Sequence, residues 1–404
     1  MLEKITEQKN KTNKNVFFVG LLSFFGGISQ DIFSPILPLY LTTTLGFDKT
    51  FIGIAEGLTS ACANIFKVIA GFLSDKFKKQ KPIIFFGYFF SMISRSLLAF
   101  FTTSTSILGL RFLDGTGKGI KDPPKDVLIA GSSNKNIRGK SFGIARMLDT
   151  LGSVAGPLLL FILMYVFQNT HNFYHYILLF SALPLIITLI ILITKVKETN
   201  DLNFISQQTN TNQSNQYKLP SSFFIFILII IIFTIGNSSD AFLILRAKNI
   251  GINIIDIPLI IALFNLIYAL AAVPFGVLSD KIGRIPTLII SWLSYAIVYI
   301  GFGIAFHPLL IWFLYGFYGI YYAANEGVAK AFISDLIQPE HRGRAFGIYG
   351  TTIGLTSIPA SFIAGFLWDH INASMPFYFG SLMSLIAIIL IIVFYKKLQP
   401  KNIN

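Results

Sequence analysis

The chain has 404 residues, of which 53% are hydrophobic and only 13% charged, with a formal net charge of +13. A soluble protein carries roughly a quarter charged residues, and charges facing hydrocarbon are costly, so the deficit marks a chain solvated by lipid. A soluble two-domain enzyme is thereby excluded. Nucleic acid is excluded as the reason for the positive charge, because Lys and Arg fall in short runs between apolar segments.

The first residues (Lys4, Lys9, Lys11, Lys14) are polar and no signal peptide, since the apolar stretch after them is too long for an h-region. A bilayer is crossed by roughly 17–25 mostly apolar residues, which predicts spans near 16–41, 51–73, 82–103, 107–129, 141–167 and 173–194. A connector rich in Asn, Gln, Thr and Ser follows at 195–220, too polar to pack a core. Six further spans are expected near 221–245, 253–278, 286–306, 309–333, 344–367 and 376–395.

This is an all-α integral membrane pattern of about twelve transmembrane helices, with one six-helix bundle in 1–194 and another in 221–404. With the N-terminus inside, the inner loops collect Lys76, Lys78, Lys79, Lys81, Lys135, Arg138, Lys140, Lys281, Arg284, Arg342 and Arg344, with more on the connector and tail. The outer loops are left with Lys49, Arg246 and Lys248, an asymmetry that puts both termini in the cytoplasm. Cys62 is the one cysteine, so no disulfide framework forms. The histidines (His171, His175, His307, His341, His370) lie near loop ends without helical pairing, so neither a metal site nor a cofactor is expected.

The halves repeat each other. Arg138-Gly-Lys-Ser-Phe-Gly-Ile144 recurs as Arg342-Gly-Arg-Ala-Phe-Gly-Ile348, and Gly71-Phe-Leu-Ser-Asp-Lys76 as Gly276-Val-Leu-Ser-Asp-Lys281. Ser29-Gln-Asp31-Ile-Phe33 has a looser counterpart in Ser238-Ser-Asp240-Ala-Phe242. Three matches in one order make a duplicated six-helix unit.

Gly71-x-Leu73-x-Asp75-Lys76 and the fuller Gly276-x-Leu278-x-Asp280-Lys281-x-Gly283-Arg284 resemble the signature loop of the major facilitator superfamily. The first copy departs from it, with Lys78 where the second has Gly283. In that family the aspartate locks one conformation through a neighbouring helix end and a basic residue. The resemblance therefore implies gating roles for Asp75 near Arg138 and for Asp280 near Arg342.

The fourth span carries most of the charge. Advancing about 100° per residue from Arg111 puts Asp114, Lys118, Lys121, Asp122 and Lys125 within roughly 100° of arc. Such a stripe cannot face lipid; it lines a wet cavity or pairs with facing helices. Gly115-Thr-Gly-Lys118-Gly is not a phosphate loop, because Phe112 stands where the first glycine is required and Gly119 replaces the final Ser or Thr. Arg111-x-x-Asp114-Gly115-x-Gly117 resembles the family's fourth-helix motif, linked in antiporters to proton transfer. Gly152-x-x-x-Gly156-Pro157 resembles its fifth-helix antiporter motif, without the two glycines usually found further on. The run from Arg111 to Ile120, followed by Pro123-Pro124-Lys125-Asp126, is similar to a bacterial branch of polycarboxylate siderophore carriers.

Further ionisable and polar residues lie inside apolar spans: Asp31, Glu56, Asn64, Lys67, Arg95, Arg146, Asp149, Asp240, and Glu326 with Lys330. An acid in that setting changes its protonation with its surroundings, so Asp31, Glu56, Asp114 and Glu326 are the proton-coupling candidates. Arg111, Lys118, Arg146, Asp149 and Asn64 are the candidates for solute binding. The tenth span gathers Trp312, Tyr315, Tyr318, Tyr321 and Tyr322, candidates to line a cavity.

The expected function is proton-coupled secondary transport of a small organic anion, with a polycarboxylate siderophore as one such solute. The expected setting is the bilayer of a bacterial inner membrane, with the protein acting as a monomer and with protons and solute as its partners. A drug-type efflux antiporter is the nearest rival, and a non-transporting membrane receptor the rival from another class. Reporter fusions in the 195–220 connector and at the C-terminus are expected to show cytoplasmic activity; periplasmic activity at either position would overturn the topology.

Overall fold

The structure is a computed structural model describing residues 14–77, 79–133, 138–170, 172–198, 219–338 and 341–399, without the side chains of 75–77, 138 and 139. Among these residues every regular element is helical. That follows from the solvent: in hydrocarbon each backbone N–H and C=O must be satisfied within its own segment. The helices are α1 (Lys14–Thr43), α2 (Lys49–Phe77), α3 (Gln80–Leu97), α4 (Ser104–Gly131), α5 (Arg138–Phe167) and α6 (Phe173–Thr194). They continue as α7 (Ser221–Gly236), α8 (Ala241–Asn249), α9 (Ile257–Ile282), α10 (Arg284–Ile304), α11 (Pro308–Leu336), α12 (Arg342–His370), α13 (Met375–Val393) and the short α14 (Tyr395–Leu398).

Twelve expected spans are thus matched by thirteen longer helices, because the seventh is broken into α7 and α8. By length and composition nine segments of the described residues are able to cross a membrane. The helices at the third, fourth and tenth expected spans fall short of that mark, through polar ends in α3, the ionic stripe in α4 and the tyrosines of α11.

The break in the seventh span corrects the expectation of one helix over 221–245. Asn237-Ser-Ser-Asp240 interrupts a run of isoleucine and phenylalanine, and short polar side chains compete with the helix for its backbone groups. The Asn237 N–H closes α7 on the carbonyls of Phe233 and Thr234 at 3.1 and 3.0 Å. The Ser239 N–H donates sideways to Ser361 Oγ of α12 at 3.3 Å.

The chain divides into two compact units. One holds the residues up to Ile36 together with those from Ile65 to the connector; the other holds Leu37–Asn64 together with the C-terminal helices. The second unit takes in the end of α1 and the first half of α2. A seam of small residues explains why. A Cβ on Gly53 or Gly57 would strike the α12 backbone at Ser361 or Ile358, and one on Gly365 would strike that of α2 at Lys49 and Thr50. Small residues allow such backbone approach in a membrane, where packing rather than hydrophobicity holds helices together. Asp369, near the end of α12, accepts from the Thr50 N–H at 2.7 Å and its Oγ1 at 2.8 Å, capping the start of α2.

In the first unit, Gly87 of α3 and Gly117 of α4 face each other's carbonyls, and Gly152 of α5 meets the α1 backbone at Phe24. In the second unit Arg246 is buried, which corrects its expected place in an outer loop. Its guanidinium donates to the carbonyls of Phe302, Gly303 and Ala305 at 2.9, 3.0 and 3.2 Å, and to Asn249 and Ser374. Those carbonyls are ones the end of α10 leaves without helical partners.

Candidate functional site

Asp114 is fully buried on α4, and three cations converge on it. Lys118 Nζ stands 2.9 Å from Oδ2, Arg111 Nη1 3.3 Å from the same oxygen, and Arg95 of α3 3.3 Å from Oδ1. Arg95 then reaches α1, donating to Ser29 Oγ at 2.5 Å and to Gln30 Oε1 at 2.6 Å. The Phe33 ring underlies both guanidinium groups, 5.0 and 5.7 Å from its centroid. Arg95 and Arg111 are 1% and 2% exposed and Lys118 is 20% exposed, so the cluster is closed except at Lys118.

The fourth-span stripe therefore divides in two. Further along α4, Asp122 is held by Lys125 at 3.2 Å and by Lys67 of α2 at 3.5 Å, while Lys121 lies over the Tyr88 ring at 4.8 Å. On α5, Arg146 pairs with Asp149 at 3.2 Å, and both are exposed. Asp31 of α1 is half-buried and hydrogen-bonded to Ser153 of α5. A Cβ at Gly156 would press on Asp31 Cβ, so the glycine admits the acid between α1 and α5. Among the described residues, Asp31 has no Lys or Arg within ion-pairing distance.

A second polar group belongs to the other unit. At the α7–α8 break the Asp240 carboxylate accepts from Tyr318 at 2.7 Å and Tyr322 at 3.2 Å, both on α11. Tyr295 donates to the Gly236 carbonyl at 2.9 Å and stacks on Tyr299 at 3.9 Å. Glu326 accepts from Tyr268 at 2.9 Å and pairs with Lys330 at 3.0 Å. Glu56 belongs to this unit too, within electrostatic range of Asp240. Asn64 uses its amide on the Ser60 carbonyl of its own helix at 2.9 Å and packs against Gly354.

The gating expectation for the second loop is changed. Asp280 pairs with Arg284 at 2.6 Å, and Arg284 reaches on to Asp335 at 3.1 Å. Arg342, the expected partner, donates to the Ser334 and Ile337 carbonyls at 3.1 and 3.3 Å, closing the end of α11. The side chains of Asp75 and Arg138 lie outside the described residues. Two groups were under-weighted by the sequence. Arg95, noted only as a buried cation, links α1, α3 and α4, and Asp240 with its tyrosines forms a site of its own. The signal for Arg95 was a cation in a span that has no acid of its own.

A family model for the Major Facilitator Superfamily matches residues 19–245 and 219–404. An uncharacterised MFS-type transporter of Methanocaldococcus jannaschii is 35% identical over 398 residues, with 97% of each chain covered. A class H tetracycline resistance protein of Pasteurella multocida is 33% identical over 149 residues, 35% of each chain. Among solved structures, a D-xylose–proton symporter superposes with a TM-score of 0.75 over 96% of this chain and 98% of its own, at 18% identity.

Removing one member of a buried ion cluster strands the others and costs about 3–5 kcal/mol. Asp114→Asn is accordingly expected to lower the unfolding midpoint in detergent strongly, and a second change, Arg95→Gln, to restore part of the loss. An unchanged midpoint for the single variant would show that the cluster does not hold the fold.

Proposed function

The chain belongs to the Major Facilitator Superfamily, and from that premise we propose that it is a proton-coupled secondary transporter of a small organic anion, working by alternating access. The observation that carries the reading is the imbalance around Asp114: three cations for one carboxylate, with Lys118 partly exposed. In a medium of low dielectric, surplus positive charge attracts an anion and penalises a cation. Arg111 and Arg95 are buried, so the partly exposed Lys118, itself paired with Asp114 at 2.9 Å, is assigned as the contact for a solute carboxylate. A polycarboxylate siderophore is one solute of that chemistry. The reading puts the chain in the cytoplasmic membrane as a monomer, with both termini inside.

Coupling is assigned to Asp31. Neutralising Asp114 would strand two buried guanidinium groups and Lys118, so that acid is poorly suited to cycle a proton. Among the described residues Asp31 is held by the Ser153 hydroxyl, and it lies within electrostatic range of Asp149, Arg95 and Lys118. A solute anion arriving at Lys118 would alter the field at Asp31, the link that coupling requires. The D-xylose–proton symporter lends the fold a precedent for proton coupling. Glu326 is the weaker candidate because Lys330 already balances it, and Glu56 stays second to Asp31. The efflux reading rests on the partial likeness to a tetracycline resistance protein.

In proteoliposomes with an imposed proton gradient and a panel of labelled organic acids, Asp31→Asn is expected to abolish accumulation while retaining counterflow exchange, which needs no net proton movement. Accumulation by the variant against a gradient would move the coupling site elsewhere.

A further inference from the structure

The acids of the spanning helices divide by their partners. Asp114, Asp122, Asp149 and Glu326 each have a Lys or Arg within 3.5 Å. Asp240 has none within ion-pairing distance among the described residues. Its partners are the Tyr318 and Tyr322 hydroxyls, and the charge that bears on it is another acid, Glu56. Asp240 is nevertheless an exposed residue, at the gap between α7 and α8. An intramembrane acid without a counter-ion marks a substrate, ion or proton site.

The surroundings select the kind of cation. A hard metal ion takes about six oxygen ligands, and five carbonyls around the break already accept hydrogen bonds. Those of Phe233 and Thr234 accept from the Asn237 N–H, that of Gly236 from Tyr295, that of Ser239 from the Phe242 N–H, and that of Asp240 from the Leu243 N–H. Aromatic rings are plentiful instead. Tyr322 meets Phe264, Tyr318 and Tyr268 edge to face, at centroid distances of 5.3, 5.2 and 6.2 Å. Ring faces beside one carboxylate suit an alkylammonium group, which pairs through its N–H donors and rests its carbon on the rings. The Tyr315 hydroxyl, buried within electrostatic range of Asp240, has no hydrogen-bond partner among the described residues, and so adds an uncommitted acceptor.

We propose that the α7–α8 break is a binding site for a protonated amine, with Asp240 as its counter-ion, Tyr318 and Tyr322 fixing the carboxylate, and the Tyr322 and Phe264 rings receiving the alkyl portion. The proposal rests on the reading of the chain as a carrier of a small organic solute, and it adds a protonated amine as a class of ligand for the second unit.

The test is equilibrium calorimetry on the full chain in phosphatidylcholine nanodiscs, titrated with ethylammonium, with sodium and with ethanol as the neutral analogue. Saturable binding of ethylammonium alone is expected, weakened at least about tenfold by Asp240→Asn, a loss of about 1.4 kcal/mol. Tyr322→Phe, which keeps the charge and removes one hydroxyl from the carboxylate, is expected to weaken it less, and it gives the answer should Asp240→Asn fail to fold. Binding that survives both substitutions, equal binding of sodium, or the absence of saturable binding would each overturn the proposal. No gradient enters this measurement, so its failure would leave proton coupling at Asp31 untouched. Conversely, an Asp31→Asn variant that still accumulates solute would leave the amine site standing.

Discussion

One buried carboxylate organises the first unit. Asp114 sits without exposure inside a helix bundle, a position that is affordable for a charge only when it is paired and hydrogen-bonded. Arg111 and Lys118 come from its own helix at offsets of three and four residues, where helical neighbours lie on one face. The third cation comes from α3, and through Ser29 and Gln30 it carries the tie to α1. Three helices are thereby fixed by a polar interaction, in a setting where apolar contact between helices gains little over contact with lipid. The opposed glycines Gly87 and Gly117 complete the arrangement by letting α3 and α4 approach closely enough for Arg95 to reach across.

The second unit solves its polar problem differently. Its tyrosines carry both packing area and hydroxyls, so the stack of Tyr295, Tyr299, Tyr318 and Tyr321 is a core that also supplies hydrogen bonds. The broken seventh span is tolerated because those hydroxyls and Ser361 replace the helical partners that Asn237-Ser-Ser-Asp240 gives up. Arg246 does the same at the end of α10, serving carbonyls that no helical N–H reaches. In one unit Asp114 gathers cations; in the other Asp240 is held by hydroxyls.

Much of this was legible in the sequence. The placement of the helices followed from hydropathy. The ionic stripe followed from helical periodicity, together with the requirement that it pair with facing helices or line a cavity. What escaped depends on contacts between distant segments. The break at 237–240 lies inside a hydrophobic run, where four short polar residues outweigh the pattern only because Ser361 and Tyr295 are there to take up the freed groups. Arg246 reads as a loop cation until the α10 carbonyls are seen around it. Asp280 finds Arg284 four residues on rather than Arg342, because Arg342 is engaged by the end of α11. The seam between α2 and α12 is written only as scattered glycines, whose alignment appears once the helices are paired.

The central claim is that surplus positive charge around Asp114 selects the acid group of the solute, with Lys118 as the contact. The most direct measurement is equilibrium binding to Lys118→Gln, after its folding has been verified, across matched organic solutes that are anionic, neutral or cationic. The account predicts selective loss of affinity for the anions, with neutral solutes unaffected. Anion affinity that survives the substitution in a well-folded variant would contradict it, and would reduce the cluster on α4 to a purely structural ion network.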